Sequence, residues 1–451
     1  MQSPRFSRRR FLTLSSSIAA GIYVAPAFLR AQSPNSKLNI AMIGVGGKGG
    51  DNYNGVKSEN IVAICDVDSK ALGAAAGRSP AAKQFRDYRK MFDELKSSDY
   101  DAVVVSTPDH HHFPATLRAL KAKKHVYCEK PLVHTIWEAR EIVRLAKEAG
   151  VATQMGNQGN ASEDLRVTTE WIKAGAVGTV KEVHCWSNRP IWPQGVTWPT
   201  QAEPIPETLD WDIWLGPAAE RPYYSKCHPF NWRGFWDFGT GAFGDMGCHI
   251  LNWPYTALDL GSPISAECIE EEGASKDSPP TKSRIKLEFA ARGDRPAVTL
   301  YWHDGGNLPT AEQFGGEIPS RANNKGEKRN TENGSLFIGD KGIMFDGYDG
   351  GEEPTLLPKA KMEGFKAPDK TLSRSPGHYV EWINACKGGP KAGSDFVAKS
   401  AGLTEMVLIG HLAARVGPGK KIEWDGSVGK SKNLRETDAY VNKAYRKGWI
   451  D

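Results

Sequence analysis

The sequence has no C-x-x-C pair, no internal repeat and no low-complexity tract. Past its first thirty residues it also has no apolar run long enough to cross a bilayer. Each absence removes a class of protein. The seven cysteines, at 65, 128, 185, 227, 248, 268 and 386, show no regular spacing, which argues against a zinc or iron–sulfur site. Cys65 and Cys128 lie in apolar runs and read as core, while spacing cannot pair the others into disulfides. Excess charge is lacking as well. Lys and Arg number 58 against 53 Asp and Glu, but five of the arginines (5, 8, 9, 10 and 30) fall in the first 31 residues, which hold no acid. The remainder carries 53 charges of each sign, so neither a nucleic acid partner nor an anionic membrane surface is expected.

Those first 31 residues read as an export signal. Ser7-Arg8-Arg9-Arg10-Phe11-Leu12 resembles the twin-arginine pattern and precedes a modest apolar segment, Ile18 to Leu29. Gly21, Tyr23 and Pro26 make that segment a poor membrane span, so no stable span is expected. Small residues at Ala25, Ala27 and Ala31 offer cleavage points, the last being favoured. The twin-arginine route carries proteins already folded, which suits a chain that acquires a nucleotide in the cytoplasm. A periplasmic or otherwise exported location is the expectation.

What the sequence does have is Asn39-Ile-Ala-Met-Ile-Gly-Val-Gly-Gly-Lys-Gly49, a short apolar run breaking into Gly44, Gly46 and Gly49. Ile40 to Val45 reads as a strand buried on both faces. A G-x-G-x-x-G turn after such a strand lets the backbone approach a pyrophosphate lying at the positive end of the next helix. A second apolar run, Ile61 to Ile64, leads to Asp66, 22 residues beyond Gly44, where an acid hydrogen-bonds the adenine ribose. Asp66 would also repel a 2′-phosphate, so NAD is favoured over NADP.

Strand-like runs at 40–45, 61–67, 102–106, 125–128 and 151–155 alternate with helical patterns, the clearest at 114–123 and 135–149. That alternation predicts a doubly wound parallel sheet, with ligands at the carboxyl ends of its strands. From about residue 157 the character changes. Eight of the fourteen tryptophans fall between Trp186 and Trp253, and later runs (264–270, 284–290, 296–302 and 335–338) alternate as strands with one solvated face. The fold expected is α/β: a Rossmann sheet followed by an α/β domain with an open, mainly antiparallel sheet. The boundaries drawn are 1–31 for the signal, 32–156 for the NAD-binding domain, 157–420 for the second, substrate domain, and 421–451 for a tail. Two late helices, near 376–386 and 394–415, could pack on either domain.

Two stretches carry chemistry. Glu129-Lys130-Pro131 follows the fourth main strand, where a nicotinamide would lie, and Lys130 there could polarise a substrate oxygen. In Gly241-Ala-Phe-Gly-Asp245-Met-Gly-Cys-His249, the acid and the histidine share a helical face. His249 could take the proton of an alcohol while Asp245 orients and stabilises it. The aromatic stretch Cys227 to Trp236, with Trp232 and Arg233, reads equally as a sugar-stacking surface and as a core loop. Asn157, Arg189 and Trp192 are candidates for the same pocket. Asp109-His110-His111-His112 invites a metal reading, but consecutive histidines point different ways, so no metal site is expected.

Taken in order, the glycine turn, Asp66, Thr107-Pro108-Asp109-His110, Glu129-Lys130-Pro131 and Asp245-x-x-x-His249 resemble the glucose–fructose oxidoreductase / inositol dehydrogenase / MocA family. Motifs support the resemblance over residues 38 to about 260, and architecture to about 415. It implies that Lys130, Asp245 and His249 are catalytic. It places Gly44, Gly46, Gly49 and Asp66 on the dinucleotide, with Thr107, Pro108, His110 and Glu129 around nicotinamide and ribose. It also implies a carbohydrate substrate, a homo-oligomer (dimer or tetramer) and, by likeness to the glucose–fructose enzyme, a nucleotide that stays bound. An NAD-dependent glycosidase is the alternative activity. Asn252 stands where many members have an acid.

Overall fold

The structure is a computed structural model that describes residues 36–450, apart from 317–320, 323–327, 330–331 and 349–353. The proposed export signal lies outside the described residues. Six parallel strands form the first sheet: β1 (Asn39–Ile43), β2 (Asn60–Cys65), β3 (Lys83–Phe85), β4 (Ala102–Val105), β5 (His125–Cys128) and β6 (Thr153–Met155). Their order is β3-β2-β1-β4-β5-β6, the doubly wound arrangement in which the order of strand addition reverses between β1 and β4. Every residue of β4 is buried, because helices cover both faces. Helix α1 (Lys48–Val56) follows the glycine turn, and α2 (Ser69–Arg78) and α3 (Tyr88–Glu94) flank β3. Helix α4 (Asp109–Lys121) begins five residues earlier than its apolar pattern suggests. Helix α5 (Ile136–Ala149) starts at a capping box: Thr135 Oγ1 accepts from the Glu138 N–H, and Glu138 Oε2 accepts from the Thr135 N–H.

The second sheet is mixed. It joins β7 (Val180–Trp186), β8 (Ser265–Glu272), β9 (Lys282–Phe289), β10 (Val298–His303), β11 (Gly334–Gly339), β12 (Ile343–Gly347), β13 (Thr355–Leu357), β14 (Lys421–Asp425) and β15 (Lys430–Ser431). Only the β7–β10 pair is parallel. In β9 the side chains alternate: Ser283, Ile285, Leu287 and Phe289 are buried, with charged residues between them. The buried face meets α11 (Ala401–Val416), which also packs on α5 and on α8 (Gly241–Ile250). Helix α10 (His378–Cys386) returns to the first sheet. Its Trp382 and Ile383 join Tyr127 in the core, and Tyr379 donates to Asn52 Oδ1 at 2.7 Å.

The tryptophan-rich stretch forms a small core of its own from Trp198, Trp211, Trp214, Trp232, Phe235 and Phe238. It is tied to the carboxyl end of β2, where Ser69 N–H donates to the Thr208 carbonyl and Asp210 N–H to that of Val67. All seven cysteines are buried and unpaired.

Residues 421–450, expected as part of a tail, pack on the rest of the chain. Strand β14 pairs with β8, and the chain then crosses to the first sheet. There Tyr445 donates to Glu138 Oε1 at 2.7 Å, and Trp449, 2% exposed, packs edge-on to Tyr88 and His111. The Arg89 guanidinium lies 3.9 Å from the Trp449 ring centre. Replacing a buried aromatic of this kind by alanine costs about 3–5 kcal/mol. Trp449→Ala is therefore expected to lower the denaturation midpoint clearly, whereas an unchanged midpoint would mean that the segment is dispensable.

Candidate active site

The glycine turn is built for close approach. Gly44 has φ +77°, and a Cβ there would stand 2.7 Å from the Ser106 carbonyl oxygen. A Cβ at Gly49 would lie 2.0 Å from the Gly44 carbonyl, so α1 can meet β1 only with glycine at that position. Asp66 reaches back to the turn, and its carboxylate accepts from the backbone N–H groups of Val45 (2.9 Å), Gly46 (3.2 Å) and Asp68 (3.0 Å). Burial raises its pKa, while these bonds oppose the shift.

The turn opens into a cleft of about 650 Å³ at the carboxyl ends of β1, β2, β4 and β5. Of the residues singled out from the sequence, Gly44, Gly46, Asp66, Thr107, Pro108, Glu129, Lys130, Arg189, Trp232, Arg233, Asp245 and His249 all line it. The residues present fit a dinucleotide. Gly44, Gly46 and Gly47 present no side chain to it, and Thr107, which lines the cleft, has its Oγ1 buried without a partner. Glu129 is held by Asn52 Nδ2 (3.0 Å) and Gln158 Nε2 (3.1 Å).

Lys130 comes from the end of β5, and Asp245 and His249 from α8. Lys130 Nζ donates to Asp245 Oδ1 at 2.7 Å and to its backbone carbonyl at 3.1 Å, with both side chains 13% exposed. Arg233 Nε lies 3.2 Å from the same Oδ1. Burial opposes the Asp245 charge, but Lys130 and Arg233 hold the carboxyl well below its ordinary range. His249 is pushed down to about 3, first by burial and then by the Lys130 charge. Its Nδ1 is buried without a partner, and its ring centre lies 5.5 Å from that of Tyr348. The imidazole is thus held neutral, with Nδ1 unpartnered. The Arg233 guanidinium lies 4.3 Å from the Trp232 ring and 4.6 Å from that of Phe230, joining the aromatic wall to the Lys130–Asp245 pair.

Three expected residues, His110, Asn157 and Gly49, lie outside the lining. His110 is fully buried beneath the cleft, its ring against the carbonyl oxygens of Trp214 (3.0 Å) and Phe238 (3.3 Å). Its neighbour His111 lines the cleft instead. Because α4 already runs at Asp109, successive side chains rotate by about 100° and only some face outward. Asn157 turns away, accepting from the Ser394 hydroxyl and donating to the Cys248 carbonyl at 3.5 Å. The three histidines contact backbone carbonyls, His110 and His111 that of Trp214 and His112 that of Pro131, and no metal-ligand cluster occurs among the described residues. Gly49 supports the turn from behind, outside the cleft lining. Cleft residues that the sequence left unassigned include Asp109, Gln158, Trp214 and Phe230. The first was in plain view beside Pro108.

A parallel sheet with a glycine turn and a strand-end cleft of this kind defines a dinucleotide-binding oxidoreductase fold. The chain belongs to the Gfo/Idh/MocA oxidoreductase family: residues 38–157 match its NAD-binding Rossmann fold and residues 177–294 its C-terminal alpha/beta domain. Inositol 2-dehydrogenase of Rubrobacter xylanophilus is 31% identical over 270 residues, 57% of this chain and 76% of that protein. A glycosyl hydrolase family 109 protein of Solibacter usitatus is 35% identical over 159 residues, 31% of this chain and only 36% of its own length. Among solved structures, the WlbA dehydrogenase of Bordetella pertussis in complex with NADH and UDP-GlcNAcA shares the fold. Its TM-score is 0.61 at 18% identity, over 87% of this chain and 98% of that one.

Asp109 gives the site a testable titration. Its carboxylate accepts from the Thr240 hydroxyl at 2.9 Å, and burial raises its pKa from 3.8 to about 7 despite Arg233 and Lys130 nearby. Between those values the folded chain keeps a proton that the unfolded chain has released, so stability falls as pH rises through the window. Asp109→Asn keeps an acceptor for Thr240 and removes the titration. Its melting temperature is expected to exceed the wild type's at about pH 8, with the gap closing by about pH 4. Equal melting temperatures at the higher pH would contradict the shift.

Proposed function

We propose that this protein is an exported, NAD-dependent oxidoreductase of a sugar or sugar-derived polyol. What carries the reading is that Lys130, Asp245 and His249 stand in the same cleft as the glycine turn and Asp66. Gly44 and Gly46 would hold the pyrophosphate, Asp66 the adenine ribose, and Thr107 and Glu129 the nicotinamide end. Asp66 and Asp68 both line the cleft and disfavour a 2′-phosphate, which supports NAD over NADP. When bound, the nicotinamide supplies the hydride acceptor.

The chain's own residues handle the oxygen and its proton. Lys130, fixed by Asp245, donates a hydrogen bond to the substrate oxygen and stabilises the negative charge that develops there. Neutral His249 takes the hydroxyl proton, and Asp245, one turn back, stabilises the imidazolium that results. Burial and the Lys130 charge keep His249 unprotonated until the proton is offered. Phe230, Trp232 and Trp192 give apolar faces against which a sugar ring can stack, and Arg189 supplies donors at the same wall.

Export follows from the twin-arginine pattern at residues 7–12. Free NAD is scarce outside the cytoplasm, so the nucleotide is held through the catalytic cycle. An open second sheet with charged strands leaves a face on which a dimer or tetramer could form. The likeness to the Solibacter usitatus protein, whose name is that of a glycoside hydrolase, favours one second reading: oxidation, elimination, water addition and reduction with no net redox change. Aglycone release without an added acceptor would single it out.

His249→Ala is expected to cut turnover by about 10²–10⁴-fold. NAD, measured by mass spectrometry after acid release from dialysed protein, is expected to stay stoichiometric with the chain. Full turnover in the variant would remove His249 from the mechanism, and nucleotide-free wild type would overturn retention.

A further inference from the structure

A second cavity, of about 250 Å³, lies between the start of α5, the later turns of α11 and residues 439–444. Its volume equals that of about eight water molecules, enough for a small metabolite. Arg415 borders it from the last turn of α11. The guanidinium carbon stands 4.8 Å from the Trp236 ring centre and 4.4 Å from that of Tyr440. Tyr440 also hydrogen-bonds the guanidinium, and the N–H groups it does not take are left for a ligand.

The charge there is only partly matched, by a hydrogen bond with Tyr440 and by Asp237 acting from beyond ion-pair distance. Asp237, the acid on this wall, is taken by Arg221 at 2.7 Å. Lys443 is already answered by Glu138 at 3.1 Å and by His134 Nδ1 at 3.1 Å. His134 Nε2 faces the Gly239 carbonyl at 3.2 Å, so it carries the hydrogen and Nδ1 accepts. Burial, followed by Arg415, pushes His411 down to about 3, so that ring is neutral. Among the described residues no carboxylate forms an ion pair with Arg415, and burial lowers its pKa, a cost that an anion would relieve. Ile136, Leu408 and Leu412 give the lining an apolar side, with Thr135 and Asn442 adding uncharged polar groups.

We propose that this cavity binds a small organic carboxylate, its oxygens on the Arg415 fork and its carbon body against Leu412 and the Trp236 ring. A planar guanidinium matches a carboxylate in two-point contact, which lysine does not reproduce. The cavity is separate from the catalytic cleft and shares no lining residue with it.

The test is isothermal titration of dialysed full-length protein with butyrate and, separately, with inorganic phosphate. Saturable butyrate binding is expected, tighter than that of phosphate because phosphate has no carbon body to bury. Arg415→Gln is expected to weaken butyrate by about tenfold or more, with Arg415→Lys in between. Ala439→Trp, which fills the cavity without changing charge, is expected to abolish it. Arg189→Gln, in the other cleft, is expected to leave it unchanged. Absent or non-saturable butyrate binding, phosphate binding as tight as butyrate, an Arg415→Gln variant that binds like wild type, or loss of binding in Arg189→Gln would each overturn the proposal.

Discussion

One buried ion pair, Lys130 Nζ to Asp245 Oδ1, joins the end of the nucleotide sheet to the helix that carries His249. Taking both charges from water is costly, and the pair persists because each has more than one partner. Asp245 receives Lys130 and Arg233, while Lys130 also reaches the Asp245 carbonyl. Removing Asp245 strands the buried Lys130 charge, at a cost of about 3–5 kcal/mol, whereas removing Lys130 leaves Asp245 to Arg233 alone. The contact exists only if the two sheets dock in one way. Helices α10 and α11 and the C-terminal segment maintain that docking, each leaving the second half of the chain to pack on the first. The site is therefore a product of the whole described fold rather than of a single loop.

The same enclosure sets the proton chemistry. Two groups in one cleft are moved in opposite directions by burial, the Asp109 carboxyl up to about 7 and the His249 imidazole down to about 3. Both shifts favour the neutral form, because a low-dielectric site penalises charge of either sign. Asp245 escapes the trend only through its two cations. A neutral base, a fixed cation and a fixed carboxylate within one turn of helix and one strand end is a combination suited to moving a proton to and from a hydroxyl.

The Rossmann half was legible because its strands are continuously apolar and its motifs sit at strand ends, where backbone geometry leaves little choice. The harder features depended on contacts distant in sequence. Strand β3 is three residues long, and α1, with Gly49, Gly50, Gly55 and two asparagines, has little helix propensity of its own. Strand ends named the right loops but not the right atoms. Helix phase decided that His111 and not His110 meets the cleft, and Ser394, far along the chain, drew Asn157 away from it. Residues 421–451 looked like a tail since a lone Trp449 carries no periodicity, and its burial appears only once the chain has crossed back. The aromatic stretch 227–236 answers to both of its readings, with Phe230 and Trp232 on the cleft and Phe235 and Trp236 in the core.

If Lys130 and Asp245 act as one unit, their removal should not be additive. The most direct test is a double-substitution cycle on turnover with Lys130→Met, Asp245→Asn and the pair combined, each with saturating NAD. The account requires the double variant to be no slower than the slower single one, because either change alone already dissolves the contact. Losses that multiply would mean the two residues work independently, and the ion pair would then be a structural bystander.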